Sequence, residues 1–489
     1  MCALPVNKHY HSALGLAVFN RPQIVLNSSQ QGTTLVSDNL VFLPLGGTGE
    51  IGMNLNLYGY NGRWLMVDCG ITFEQQHNSL RPSIQMADPQ FIVSRNQLLD
   101  GLIITHAHED HIGAVPYLWA QLRCPIYTTP FTATVLRRKF ASLDKPLPNE
   151  LIEVPSDHIG RIGEFDVRWL QLTHSTPETC ALHIQAGSYS VLHTADWKSD
   201  ARPVVGTAWA PNSWQALARQ TVDAVVCDST NATKPGRSAT EGEVAEGLLR
   251  VISPLNGKVV VACFASNIAR MQSVLQLAHA TGRRVGLLGR SLENMYRNAL
   301  ANSLLQPDFR PIDPRHLEYL PAHEILALAT GSQGEVGAAL QKLGTDTHRH
   351  LSVGEGDTVI FSAKTIPGNE EAVARSIALL RGRGVTVIHA DESELLLHAS
   401  GHPCADDLSD LYRVLQPKLA VPVHGEPEHM QANARIARAV GVQQALTGQN
   451  GDLFYLAPIP GVRKRWATTG RLEWLEHEQK LVPVVQQLV

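Results

Sequence analysis

The chain has 489 residues, 44% of them hydrophobic and 18% charged, with a formal net charge of −4 at pH 7. That length calls for more than one structural unit, and the composition is that of an ordinary globular protein, neither disordered nor fibrous. The small negative balance excludes a globally basic nucleic-acid binder, so any groove for nucleic acid has to be a local basic patch.

Met1 to Asn39 is polar and mixed. It lacks the charged start, apolar core and cleavage site of a signal peptide, and residues 1–39 read as a poorly ordered extension. The seven cysteines (Cys2, Cys69, Cys124, Cys180, Cys227, Cys263 and Cys404) are scattered and form no C-x-x-C pair. That argues against a disulfide framework or a cysteine zinc site, and for a reducing, cytoplasmic compartment. No apolar run is long enough for a membrane-spanning helix, so no membrane partner is expected.

Regular patterning begins near Leu40. Short β-rich runs at Leu40–Leu45, Met53–Tyr60 and Arg63–Val67 are separated by Gly46-Gly47-Thr48-Gly49-Glu50-Ile51-Gly52 and by Asn61-Gly62. Connections this short predict antiparallel pairing. The apolar run Gly101-Leu102-Ile103-Ile104 then stops in Thr105-His106-Ala107-His108-Glu109-Asp110-His111, and a helix-like run from Ile112 to Leu122 follows. A buried strand that ends in three imidazoles and two carboxylates presents them from a rigid edge. His and Asp are side chains that borderline divalent metals prefer. The spacing H-x-H-x-D-H lets His106 and His108 point one way while Asp110 and His111 reach a second position, which suits two adjacent ions. Later apolar runs end repeatedly in polar clusters. Phe165–Leu172 leads to His174, Tyr189–His193 to Asp196, Val222–Cys227 to Asp228 and Lys418–Val423 to His424. His174, Asp196 and His424 are therefore the further ligand candidates.

From Glu241 to Ala399 the pattern changes. Val259–Cys263, Arg284–Leu288, Glu324–Ala329, Thr358–Ser362 and Val385–Ala390 read as strands alternating with helices, which predicts a parallel α/β unit of its own. Two segments look built for phosphates. Phe264-Ala265-Ser266-Asn267 sits at a strand-to-helix turn, where free N–H groups and the helix dipole attract anions; Ser266 also suits a plain N-cap. His398-Ala399-Ser400-Gly401-His402 offers imidazoles, a hydroxyl and a glycine that permits close backbone approach. Gly331, Ser332 and Gly334 form a further Gly-rich turn. The expected layout is an extension over 1–39, a first domain over 40–240, an inserted domain over 241–402, and the rest of the first domain with a short tail over 403–489.

Thr105–His111 resembles the signature of the metallo-β-lactamase fold, and Asp68 in Val67-Asp68-Cys69-Gly70 resembles the aspartate of its first motif. His174 and Asp196 match its later ligands, and the inserted unit resembles the β-CASP domain of nucleic-acid-processing members. Leu45–Gly52, Asp228–Asn231, Phe264–Asn267, Thr330–Glu335, Ile366–Glu370, Ser400–His402 and Pro422–Glu426 are similar, in order, to motifs of the ribonuclease J family.

That resemblance implies an α/β fold: a metallo-β-lactamase αββα sandwich with an inserted β-CASP α/β domain. It implies hydrolysis of phosphodiester bonds in single-stranded RNA, exonucleolytic from the 5′ end and endonucleolytic, in RNA processing and decay. It implies two zinc ions, with manganese or another divalent ion as substitutes. One ion takes His106, His108 and His174, the other Asp110, His111 and His424, with Asp196 bridging. Such a pair polarises water and holds a phosphate oxygen as charge develops. Asp68 is expected to orient ligands rather than to bind metal. Asp110, Asp228 and His402 are the expected catalytic residues. Asp228 would accept a hydrogen bond from His402 and favour the imidazolium that protonates the leaving oxygen. Phe264, Ala265 and Ser266, with His398, Ala399, Ser400, Gly401 and His402, are expected to hold the substrate.

Two departures from the family pattern leave the ligands in place: Ala107 and Ala195 stand where glycine is usual. The family also carries a separate C-terminal domain linked to dimer assembly, whereas this sequence runs to Val489 soon after Leu475, so a homodimer is left open. Three other readings compete. A small-molecule thioesterase or lactonase on the same fold has no use for the inserted unit. DNA-directed β-CASP nucleases often lack the histidine that stands here as His424. Non-catalytic subunits usually lose ligands that this chain keeps.

Overall fold

The computed structural model describes residues 38–74, 82–209, 214–219 and 222–484. The N-terminal extension lies, up to residue 37, outside the described residues.

Strands Leu40–Gly46, Leu55–Tyr60 and Arg63–Val67 pair antiparallel in succession, as their short turns require. Arg63–Val67 then takes Leu99–Ile103 as a parallel neighbour. Ile126–Thr128 and Leu151–Glu153 extend one edge, and Leu453–Ala457 and Gly461–Arg463 the other, giving an eight-stranded sheet. A seven-stranded sheet has Leu419–Val423, Ala224–Asp228, Tyr189–His193, Cys180–Ala186 and Phe165–Gln171 side by side in its middle. The inner faces of the two sheets share one core. Phe42, Tyr58, Leu65 and Ile103 from the first pack with Val167, Trp169, Leu182, Val226 and Val421 from the second, all buried. The other face of the seven-stranded sheet is covered by helices Ala405–Leu415 and Pro427–Ala439, through Leu408, Leu411, Tyr412 and Ala437. Sheets inside and helices outside make the αββα sandwich.

The inserted unit has its own five-stranded sheet in the order Arg284–Leu288, Ile325–Ala329, Val259–Ala262, Thr358–Phe361 and Thr386–His389, every pair parallel. Val260, Ala327, Val359 and Phe361 lie in a separate core with Leu343 and Leu380 of its helices. The central strands read as unbroken apolar runs because both of their faces are covered.

Two local expectations differ from what is seen. The run Ile112 to Leu122 is not one helix but two, Glu109–Ile112 and Val115–Leu122. Between them the Ala114 N–H donates to the Cys69 carbonyl at 2.9 Å, and Pro116 has no N–H to give. The stretch read as a C-terminal tail forms strands Arg471–Leu475 and Lys480–Pro483. They complete a four-stranded sheet with Ile71–Glu74 and Ser83–Ala87 from the other end of the chain. Among the described residues no helix is long and apolar enough to cross a membrane.

Candidate metal centre and catalytic site

Strand register brings the candidate residues together. Val67 lies opposite Ile103, so Asp68 and Thr105 emerge side by side from neighbouring parallel strands. Asp68 accepts the Thr105 N–H at 2.8 Å, and its other oxygen accepts from His111 Nδ1 at 2.7 Å. In the second sheet Asp228 lies opposite Val423, so His424 emerges beside Asp228. Asp196 follows the adjoining strand Tyr189–His193, and His174 follows Phe165–Gln171. Carboxyl ends of adjacent strands are where α/β sheets place their sites.

His106 Nε2 is 3.2 Å from His108 Nδ1, which is 3.0 Å from His174 Nε2. The outward nitrogens determine where the hydrogens sit. His174 Nδ1 donates to the Gly401 carbonyl at 2.6 Å. Thr105 Oγ1 gives its hydrogen to Asp68 and so accepts from His106 Nδ1 at 3.0 Å. His106 Nε2 and His174 Nε2 therefore turn bare lone pairs inward, and one hydrogen on His108 Nδ1 satisfies at most one of the two contacts. Burial, more than any neighbour, keeps these rings neutral: His106 and His174 lie well below the ordinary histidine value, and His108 is lowered to about 4. Neutral nitrogens held this close need a cation among them.

The second set forms around the same carboxylate. His111 Nε2 is 3.4 Å from Asp110 Oδ2 and 3.3 Å from Asp196 Oδ2. His424 Nε2 is 3.7 Å and 3.4 Å from the same two oxygens. Asp196 Oδ2 also lies 3.8 Å from His106 and 3.7 Å from His174, so it faces both sets. Its Oδ1 is buried without a hydrogen-bond partner. Burial works against the Asp196 charge, but His424 and His111 hold its carboxyl well below the usual range. Donor atoms of His106, His108, His174 and Asp196 lie within 4.8 Å of one another, as do those of Asp110, His111, Asp196 and His424. The neutral imidazoles of the first set, the carboxylate that faces both sets and its orphaned buried oxygen fit a divalent metal.

The backbone bends to achieve this. Asp68, Ala195 and His424 are left-handed at φ 63°, 49° and 50°, a conformation that costs non-glycine residues energy and gathers at functional sites. Gly401 is required for another reason: a Cβ there would come within 2.5 Å of the His174 ring. Asn54 escaped the sequence reading. Its Oδ1 accepts from His424 Nδ1 at 3.1 Å and its Nδ2 donates to the Asp110 carbonyl at 3.0 Å, which turns His424 Nε2 toward Asp196. A buried asparagine at the head of an apolar strand was the one available signal, since buried amides need partners.

His402 Nδ1 lies 2.8 Å from Asp228 Oδ2. Its ring stacks on His424 with centroids 5.6 Å apart and stands 5.1 Å from His174. Burial opposes a charge on His402, but Asp228 and then Asp196 raise it to about 9. A dication on the neighbouring ligands would pull that value down.

The inserted unit closes the other side. Ser400 Oγ accepts from Asn231 Nδ2 at 2.8 Å, and Ala399 is buried. His398 is lowered to about 3, by burial first and by Arg270 second. Arg270 pairs with Glu241 at 3.1 Å, and Lys198 lies 3.0 Å from Asp200 and 3.9 Å from Glu241, all four buried. Phe264, Ala265 and Ser266 are half-buried in the turn between Val259–Ala262 and Ile268–Ala280. The N-cap is Asn267 rather than Ser266: its side chain accepts the Arg270 N–H at 2.9 Å. Ala269 and Glu241 line a small cavity together with His174 and Ser175, so the start of the Ile268–Ala280 helix lies next to the ligand cluster. The Gly331–Gly334 turn has a packing role, because a Cβ on Gly334 would meet the Ala372 backbone at 2.3 Å.

Residues 53–204 match the family model of the metallo-beta-lactamase superfamily, and residues 256–380 that of the ribonuclease J beta-CASP domain. Residues 388–444 match the Zn-dependent metallo-hydrolase RNA specificity domain. The chain is 38% identical to ribonuclease J of Sinorhizobium meliloti over 443 residues, covering 89% of this chain and 77% of that one. It is 37% identical to ribonuclease J of Mycolicibacterium smegmatis, covering 85% and 75% of the two chains. The ribonuclease J of Thermus thermophilus is 32% identical, with 86% and 74% covered. A solved structure of a protein of unknown function from Enterococcus faecalis V583 is similar in fold, with a TM-score of 0.60 at 16% identity, covering 86% of this chain and 100% of that one. Sharing this much sequence over most of both lengths, the chain belongs to the ribonuclease J family of metallo-β-lactamase/β-CASP proteins.

Proposed function

We propose that this site hydrolyses phosphodiester bonds of single-stranded RNA, as a metal-dependent ribonuclease of the J type. The observation that carries the reading is the convergence of bare imidazole nitrogens on Asp196, beside a proton-bearing His402, in a chain of that family. In this proposal His106, His108 and His174 hold one zinc ion, Asp110, His111 and His424 a second, and Asp196 both. Bound there, the ions would lower the pKa of water and stabilise charge on a phosphoryl oxygen.

The chain's own residues supply the rest. Asp68, Thr105, Asn54 and the Gly401 carbonyl each bind the outward nitrogen of one ligand histidine and so aim its inward one. Asp228 binds His402 Nδ1, which leaves Nε2 as the proton donor. In-line attack by a water oxygen on phosphorus would break the bond to O3′, and O3′ would take the proton from His402 Nε2. The downstream fragment keeps a 5′-phosphate. Phe264–Ser266 and His398–Gly401 line the strand's path. Trimming from the 5′ end and internal cleavage both belong to the proposal. So does a cytoplasmic setting, which the free, buried cysteines at 69, 124, 180, 227, 263 and 404 support.

Neither a small-molecule hydrolase nor a DNA-directed nuclease is favoured for a member of this family. The test is incubation with 5′-labelled monophosphorylated RNA, with and without chelator, beside single-stranded DNA and a thioester panel. Immediate release of labelled mononucleotide shows exonuclease action, and discrete internal fragments show the endonuclease. Thioester turnover with intact RNA would sink the reading.

A further inference from the structure

A second cavity, of about 690 Å³, has walls that contain none of the ligand or substrate residues described above. It is lined by Thr48, Gly49 and Glu50 of the glycine-rich loop, by Pro427, Met430 and Gln431 of the Pro427–Ala439 helix, and by residues of the stretches 447–452 and 464–469. Pockets for small organic ligands span about 300–1,000 Å³. Hydrogen bonds fix these walls to one another. Asp452 is buried, and its two oxygens accept the Arg465 N–H at 2.7 Å and the Gln449 N–H at 3.0 Å. Asn450 Oδ1 accepts the Thr48 N–H at 3.0 Å, and its Nδ2 donates to Glu50 at 2.6 Å. Arg465 is held left-handed at φ 52°, a strained conformation for a residue with a side chain and one that gathers at ligand sites.

Four lining residues carry charge: Glu50, Asp452, Lys464 and Arg465. Glu50 is paired with Arg471 at 2.6 Å, and both Asp452 oxygens are taken. Among the described residues the side chains of Lys464 and Arg465 have neither an ion pair nor a hydrogen bond. The unmatched charge on the wall is therefore positive, and a phosphate is the anion that lysine and arginine together hold well. Gln431, Thr447, Gln449 and Thr469 likewise leave their side-chain donors and acceptors free among the described residues. Amides and hydroxyls of this kind match ribose hydroxyls and base edges, and Met430 adds apolar surface. Thr48 Oγ1 is buried without a hydrogen-bond partner, an unmet bond in the same lining.

We propose that this cavity binds a free nucleoside phosphate, with the phosphate on Lys464 and Arg465 and the nucleoside against Gln431, Thr447 and Met430. The site goes beyond the ribonuclease reading and stands without it. It also borders the second ligand set through one loop. The His424 N–H donates to the Gly47 carbonyl at 2.8 Å, and the Gly425 N–H to the Glu50 carbonyl at 3.1 Å. A nucleotide seated against Thr48–Glu50 would therefore touch the loop whose carbonyls hold the His424 backbone.

The test is an equilibrium titration of the metal-loaded full chain with adenosine 5′-monophosphate, beside adenosine alone and inorganic phosphate alone. The double variant Lys464→Ala, Arg465→Gln is expected to weaken binding of the monophosphate at least about tenfold. His402→Ala, which alters the catalytic site instead, should bind it as the parent does. Adenosine should bind at least about tenfold more weakly than its monophosphate, and inorganic phosphate more weakly as well, because each makes only part of the contacts. Lys464 and Arg465 are exposed, so an unchanged thermal midpoint without nucleotide would show that the double variant is folded. The site is overturned if the parent does not bind the monophosphate, or if the double variant keeps the parent affinity. Binding lost in His402→Ala but kept in the double variant also overturns it, since the nucleotide would then sit at the catalytic site. Adenosine or phosphate held as tightly as the monophosphate would refute the assignment of a nucleoside phosphate.

Discussion

The two walls of the cleft solve the burial of polar groups in opposite ways. On the sandwich side burial keeps the His106, His108 and His174 rings neutral, and outward nitrogens have partners: Thr105 for His106, Asp68 for His111, Gly401 for His174 and Asn54 for His424. At the boundary with the inserted unit lies a network of full charges, Lys198 and Asp200 from the sandwich with Glu241 and Arg270 from the inserted unit, removed from water and paired with one another. Neutral rings cost little to bury and stay ready for a cation. Buried ions are tolerated only in the geometry that pairs them, so they hold the two domains in one arrangement. The first wall is a receptor whose charge arrives from outside; the second is a brace that already carries its charge.

The strongest way to break this comparison is at the carboxylate that both ligand sets face. Asp196→Ala should leave the purified protein almost free of metal by elemental analysis and lower RNA cleavage by at least about a thousandfold. Normal metal content in that variant would remove Asp196 from the receptor. His402→Ala should lower kcat by about 10²- to 10⁴-fold while metal content stays at the parent level. Parallel loss of metal would make His402 a ligand instead.

The brace is tested by stability. Glu241→Gln leaves Arg270 and Lys198 buried without their shared partner and should destabilise the fold by about 3–5 kcal/mol in a denaturant titration. Burial raises the Glu241 carboxyl, but Arg270 and then Lys198 prevail and hold it below its ordinary value of 4.5. A depressed carboxylate contributes stability in full above that ordinary value and loses it as pH falls further. The gap between parent and variant should therefore narrow below about pH 4.5, and a gap independent of pH would argue that packing, not charge, braces the domains. The smallest effect is expected at Ala195, left-handed at φ 49°. Ala195→Gly should stabilise the protein by about 1 kcal/mol in thermal unfolding; a neutral result would mean that the position is not strained.

Much of the receptor wall is legible along the chain. Thr105–His111 concentrates ligands at the end of an apolar strand, and local density needs no long-range knowledge to be read. His174, Asp196, Asp228 and His424 are marked in the same way, each where an apolar run gives out. Asn54 is not, because its partner His424 stands 370 residues away. The brace is less legible still. Lys198, Asp200, Glu241 and Arg270 look like ordinary solvated charges until the fold removes the water around them. The misplaced N-cap and the divided helix were decided by competition for single N–H groups. Asn267 took the Arg270 N–H, and Cys69 took that of Ala114.

By itself the sequence determined which chemical groups stand at strand ends, and so the class of chemistry available. Hydrophobic period and ligand spacing are short-range properties that survive without a fold. Tertiary structure alone decided which nitrogen of each histidine faces inward, and that Asn54 holds His424. The reason is physical: a ring's hydrogen and an ion's charge state are set by neighbours, and those neighbours arrive from strands and loops far away in the chain.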